Sequence, residues 1–149
     1  MGDELSHVSA AGDVRMVDVG GKPLSQRRAV ARATVRMAPE TAGRLRALPK
    51  GDALVTAQVA GIMAAKRTSE LIPLCHPLPL SRVEVSVVVG DAGVEIVATV
   101  ETTAQTGVEM EALTAVSVAG LTVYDMAKAV DKTLAVTDVM LVEKSKEPA

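Results

Sequence analysis

The chain has 149 residues and a formal charge of −2 from 16 basic and 18 acidic side chains, a length suited to one domain and a balance that excludes wholesale attraction to nucleic acid. Hydrophobic residues make up 48%, enough for a core, yet there is no Phe, no Trp and one Tyr, so base-stacking platforms are missing and packing falls to Val, Leu, Ile, Ala and Met. No apolar run is long enough to cross a bilayer, no secretory leader is expected, and the single Cys75 allows no internal disulfide, so the expected compartment is the cytoplasm.

In chain order, residues 1–12 read as a flexible polar N-terminus, residues 13–146 as one domain and residues 147–149 as a flexible C-terminus. From Arg28 to Met37 the alternation of Val30, Arg32, Thr34 and Arg36 predicts a strand with one polar face. Pro39 suits the first turn of a helix running to Leu48. Asp52 is a good N-cap for a second helix, Ala53 to Arg67, with Val55, Val59, Ile62 and Met63 on one face. Pro73, Pro77 and Pro79 keep Leu71 to Leu80 extended. Two strands follow, Arg82 to Val89 and Val94 to Thr102, joined by Gly90-Asp91-Ala92-Gly93, a hairpin connection longer than the tightest kind. Val108 to Val130 is the longest helical segment, and Leu134 to Val142 alternates as a last strand.

The order β-α-α-β-β-α-β predicts an α+β fold: a ferredoxin-like antiparallel sheet with helices on one face and one extra helix before the second strand. A core of small aliphatic side chains buries little area per residue, so further burial in an oligomer is expected.

Three groups of residues could carry chemistry. On the long helix, Glu111, Thr114, Val118, Thr122, Asp125, Lys128 and Lys132 make a polar stripe, and Asp125 and Lys128 are spaced to pair. A stripe of this kind is most often a solvated face. Leu113, Val116, Val123 and Ala127 on the other sides indicate a helix covered more than once, which favours a site. Glu111 and Asp125 lie fourteen positions apart, about 21 Å along a helix. Either they serve different sites or a neighbouring subunit brings the two ends together.

The second group is Pro73-Leu74-Cys75-His76-Pro77. With His7 the only other histidine, a zinc site would lack ligands. Neighbours in an extended segment point to opposite faces, which disfavours a Cys75-His76 nucleophile pair. His76 as acid, base or phosphate ligand competes with a plain structural histidine. The third group is Arg27, Lys50, Lys66, Arg67, Lys128, Lys132 and Lys144 at element ends, a set suited to scattered phosphate contacts, with no phosphate-binding glycine motif present.

The blocks KGD (50–52), AGIMAAKRT (60–68), LIPLCHPL (71–78), TGVEMEALTA (106–115) and YDMAKAV (124–130), with MVDV at 16–19, resemble in order and register the signature blocks of the cyclic pyranopterin monophosphate synthase family, molybdenum cofactor biosynthesis protein C (MoaC). The resemblance covers Met16 to Lys144. It implies a lyase that converts a cyclised dihydro-GTP to cyclic pyranopterin monophosphate and diphosphate. It implies substrate binding at Leu74, Cys75, His76, Met110 and Glu111, an acid or base at Asp125, and catalytic lysines at Lys50 and Lys128. Arg27, Lys66 and Lys144 become further pocket residues. It also implies a homohexamer, a trimer of dimers with sites at dimer interfaces. No cofactor or metal is called for, and Mg²⁺ is compatible but not indicated. Crowded lysines would have their pKa lowered toward neutrality, as proton transfer requires. The rival reading is a non-catalytic oligomeric sensor of a phosphorylated pterin or nucleotide.

Overall fold

The computed structural model describes residues 5–149. Of the polar N-terminus expected over residues 1–12, the first four lie outside the described residues. The rest is folded back locally, with a bridge between Val8 and Val14.

The central strand β1 (Ser25–Arg36) alternates as expected. Ala29, Ala31, Ala33 and Val35 are at most 1% exposed on one face, while Arg28 and Arg32 point to the other. There Arg28 pairs with Glu101 and Glu143, and Arg32 with Glu95. These pairs are solvated and hold little stability. The first helical segment follows, but α1 spans only Pro39–Ala42. The helix expected to reach Leu48 is cut short at Gly43, and the chain tightens into turns with Arg44 N donating to Thr41 O and Ala47 N to Arg44 O.

Helix α2 (Ala53–Lys66) is capped as expected, the Asp52 carboxylate accepting from the amides of Leu54 and Val55. Its buried face is the small one, with Ala53, Ala57, Gly61, Ala64 and Ala65 packed inward beside Leu54. A Cβ on Gly61 would lie 3.1 Å from both Ala115 O and Val85 Cγ2, so larger side chains cannot face α4 there. Val55, Val59 and Met63 are therefore turned outward and are 52%, 51% and 44% exposed. A one-turn helix α3 (Thr68–Leu71), not anticipated from the sequence, follows because the buried Thr68 hydroxyl donates to Ala64 O and Ala65 O and carries the helical path one turn further.

Strands β2 (Leu80–Gly90) and β3 (Gly93–Ala104) form a hairpin. Gly90 pairs with Gly93, leaving a two-residue turn, Asp91-Ala92, tighter than expected. Only glycine serves at position 93, where φ is +148° and a Cβ would sit 2.0 Å from Val35 O of β1. Helix α4 (Glu109–Ala127) buries Ala112, Ala115, Val116, Ala119, Gly120, Val123 and Ala127, a helical stripe facing the sheet and α2.

The last strand, β4 (Ala135–Pro148), runs six residues past the expected end at Val142. Glu147 and Pro148 pair with Gln26 and Ser25, so these two residues of the terminus expected to be flexible lie in the ladder. Both faces of β4 are exposed from Asp138 onward, and an unburied edge strand imposes no hydrophobic alternation from which its end could be read. All four strands are antiparallel in the order β2-β3-β1-β4, with α2 and α4 packed over the sheet. This is the ferredoxin-like α+β arrangement read from the sequence.

Candidate active site

The N-terminal end of α4 opens into a cavity of about 480 Å³ whose walls include Leu74, Cys75, His76, Met110 and Glu111. Those five expected substrate contacts are thus brought together. The extended path expected over Leu71–Leu80 is not found at its start: Leu71 ends α3, and Pro73 and Leu74 lie in a turn closed by Cys75 N donating to Ile72 O. Irregular chain runs only from Cys75 to Pro79, and α4 supplies Met110 and Glu111 from its first turn. Glu111 is only 3% exposed. Its Oε2 lies 3.9 Å from Cys75 Sγ, and its Oε1 has no hydrogen-bond partner among the described residues. Burial, with a smaller push from the Glu109 charge, raises the Glu111 pKa to about 7. Burial and then the Glu111 and Glu109 charges raise the Cys75 thiol as well, so Cys75 stays protonated and is a poor nucleophile.

His76 is held from outside the segment. Its Nε2 lies 2.6 Å from Val17 O, and a carbonyl only accepts, so Nε2 carries the proton and Nδ1 is left for a ligand. His7, expected in a frayed end, lines the same cavity, its Nδ1 3.1 Å from Arg15 O.

Beside this cavity, and sharing Gly107 and Glu109 with it, is a recess lined by Arg27, Lys144 and Lys146. Arg27 projects from β1 with its Nε donating to Ser25 Oγ at 2.5 Å, and Lys144 reaches Glu109 at 3.8 Å. Cationic side chains over the positive end of a helix dipole favour an anion such as phosphate.

The other cluster lies at the opposite end of α4. Asp125 Oδ2 accepts from Lys50 Nζ at 2.9 Å and Asp125 Oδ1 pairs with Lys128 Nζ at 2.8 Å. Lys50 arrives from a tight turn, closed by the Leu48–Gly51 bridge, and Lys128 is the helix C-cap, its amide donating to Tyr124 O. All three side chains are about half exposed. Hydrogen bonds from Lys128 and then Lys50 hold Asp125 down to about 2. The same carboxylate raises Lys128, opposite to the lowering expected from crowded lysines, because the neighbour that decides the matter is an anion.

Lys66, at the end of α2, joins neither cluster. It lines a separate recess with Ile62, Leu80 and Arg82, touching the first cavity only through their common wall at Leu78. Sequence reasoning passed over Lys22, Glu109 and Lys146, all of which line the N-terminal sites. Glu109 had a signal, since it sits two positions from Glu111 in the first turn of α4. Among the described residues no three His, Cys, Asp or Glu side chains gather as a metal site would require, and no helix is long and apolar enough to cross a membrane.

Comparison with known proteins agrees with the blocks that carry the residues above. The profile of the MoaC family matches residues 16–147. The cyclic pyranopterin monophosphate synthase of Streptomyces avermitilis is 58% identical over 145 residues, covering 96% of this chain and 85% of the relative. Those of Chloroflexus aggregans and Thermomicrobium roseum are each 58% identical over 146 residues, covering 95% of this chain and 88% of the relative. With a match along nearly its whole length, the chain belongs to the MoaC family.

Proposed function

We propose that this chain is a cyclic pyranopterin monophosphate synthase of molybdenum cofactor biosynthesis, a lyase acting on (8S)-3',8-cyclo-7,8-dihydroguanosine 5'-triphosphate. The observation that carries the reading is the cavity at the N-terminus of α4, where a buried carboxyl group and a basic recess adjoin. Adjoining, the two offer polar edges for a ring and cationic side chains for a triphosphate.

The products are cyclic pyranopterin monophosphate and diphosphate, so the site must move protons during ring rearrangement and stabilise a leaving diphosphate. His76, through Nδ1, and Arg27 hold the triphosphate, with Lys144 beside them. Lys128, kept as an ammonium by Asp125, transfers protons, and Asp125 orients it. Lys50 assists on the ring or the leaving phosphates. Resident cofactors are not needed for these steps.

The two clusters are separated by most of the length of α4, about 21 Å, beyond the reach of one small reacting centre. This separation favours a site shared between subunits, and the active assembly is read as the homohexamer, a trimer of dimers, that the resemblance implies, with one protomer's Glu111 end facing its neighbour's Lys128 end. The outward stripe of Val55, Val59 and Met63 on α2 supports further burial between copies. The free Cys75 suits a reducing cytoplasm.

The test is incubation of the purified protein with the cyclised dihydro-GTP while pterin and diphosphate are followed by chromatography. Equal amounts of both are expected. Tight binding of intact substrate without turnover would instead make the chain a sensor, and absence of binding would overturn the reading.

A further inference from the structure

Asp131 is an aspartate with an unusual environment for its position. It follows Lys128 by three residues, in the turn leaving α4, yet is 7% exposed. Its Oδ2 accepts from Ala38 N at 2.9 Å, and its Oδ1 from Thr133 N at 2.7 Å and Thr133 Oγ1 at 2.6 Å. No cation pairs with it among the described residues. These neutral donors, Thr133 foremost, hold its pKa far below the usual carboxylate range, so it is ionised at any working pH.

The donors belong to two different segments. Thr133 lies in the turn that carries Lys128 and Lys132, where Lys132 Nζ also donates to Lys128 O at 2.8 Å. Ala38 is the N-cap of α1 and has no side-chain cap of its own, so Asp131 serves it from across the fold. From Ala38 the chain is held without slack to Lys50. Leu45 and Leu48 are buried, Ala53 N donates to Leu45 O, and Leu48 and Gly51 exchange hydrogen bonds. Fixing Ala38 therefore fixes Lys50.

We propose that Asp131 is a positioning residue for the Lys50–Asp125–Lys128 cluster, binding the segment that bears Lys128 to the segment that bears Lys50 so that both ammonium groups meet the two oxygens of Asp125. This rests on the reading of that cluster as the proton-transfer group. Asp131 touches none of the three side chains and acts through backbone placement alone. Misplacement of a catalytic group by about 1 Å can cost up to ~100-fold in rate, so the consequence is measurable.

The discriminating variant is Asp131→Asn, whose amide would turn N–H toward N–H at Ala38 or lose its Thr133 contacts. Two readouts are taken on the full chain beside wild type and Lys128→Ala: steady-state turnover of the cyclised dihydro-GTP, and the NMR titration of the Asp125 carboxyl carbon in ¹³C-labelled protein. Asp131→Asn is expected to lower kcat more than about tenfold with KM nearly unchanged. It should also raise the Asp125 midpoint from about 2 toward the ordinary carboxylate range, because the ammonium groups no longer converge. A merely structural residue would lower the melting temperature and leave that midpoint in place. An unchanged midpoint and kcat beside an inactive Lys128→Ala would overturn the positioning role while the cluster reading stands. Normal turnover by Lys128→Ala would remove the cluster from catalysis, and the Asp125 midpoint alone would then decide whether Asp131 holds the lysines together. Should Asp131→Asn not fold, Thr133→Val keeps the carboxylate and removes one donor. A smaller rise of the same sign supports the proposal, and no rise overturns it.

Discussion

Glu111 Oε2 stands 3.9 Å from the Cys75 thiol, while Glu111 Oε1 is buried without a hydrogen-bond partner among the described residues. A carboxyl group in such a place is kept partly protonated by the cost of burying its charge. It is a group that a donor brought by a bound ligand would satisfy.

Stability should report this directly. Unfolded, Glu111 titrates near 4.5, and folded near 7. Between those values the native state binds more protons, so stability falls as pH rises through that window and the cost persists above it. Glu111→Gln removes the cost. Thermal unfolding should show no gain at pH 4 and a gain at pH 8.5 on the order of 1–2 kcal/mol after allowance for solvent relaxation, several degrees in Tm. Equal melting of the two proteins at pH 8.5 would show that the buried carboxylate is satisfied after all.

Cys75 gives a second, chemical check. With its pKa raised by burial and by the carboxylates of Glu111 and Glu109, its thiol should be alkylated by iodoacetamide at pH 7.5 several-fold more slowly than a free thiol. Glu111→Gln should speed the reaction, because removing the anion lowers the thiol pKa. Cys75→Ala should keep turnover within about threefold, since a protonated thiol is no nucleophile. Loss of all turnover in that variant, with the fold intact, would give the sulfur a role denied to it here.

How much of this was legible in the sequence depended on whether burial left a mark on residue type. β1 could be read because Ala29, Ala31, Ala33 and Val35 alternate with Arg28, Arg32 and Thr34 across a half-covered sheet. The Asp52 cap could be read because its chemistry is local. The outward turn of Val55, Val59 and Met63 could not, because it follows from the close approach of Ala115 and Val85 to Gly61, which belong to elements far along the chain. The length of β4 was hidden for the opposite reason, since exposure on both faces leaves composition unconstrained. Among the site residues, the motif blocks singled out His76, Glu111, Asp125 and Lys128. The contacts that orient them could not be read, because Val17 O reaches His76 and the Asp131 carboxylate reaches Ala38 N only across long stretches of chain.

The exposed stripe on α2 predicts where assembly can be broken. Val59 is 51% exposed between Val55 and Met63, so Val59→Lys costs the single chain about 0.5 kcal/mol or less. In an oligomer that covers this stripe, a buried unpaired ammonium would be far more costly. Light scattering coupled to size-exclusion chromatography should show Val59→Lys shifted to smaller species. An assembly as firm as that of the wild type would place the stripe outside every subunit contact.

The division of α4 into two charged ends leads to the last prediction. Lys128 is about half exposed and contributes through a solvated pair with Asp125, so Lys128→Ala should leave Tm almost unchanged while reducing turnover by three orders of magnitude or more. Glu111→Ala should also be inactive, since its carboxyl lines the cavity at the other end of the helix. If a complete site takes Glu111 from one protomer and Lys128 from its neighbour, each mixed dimer holds one site with both native residues and one with neither. Random mixing makes about half of the dimers mixed, and half of the sites in those are whole, so activity should recover to about a quarter of wild type. The experiment mixes the two inactive proteins under conditions where native mass spectrometry of differently labelled subunits shows exchange. Recovery near that fraction would join the two ends of α4 across an interface. Complete exchange without recovery would assign Glu111 and Lys128 to a single protomer's site, and the 21 Å separation along the helix would then have to be bridged by the length of the triphosphate substrate.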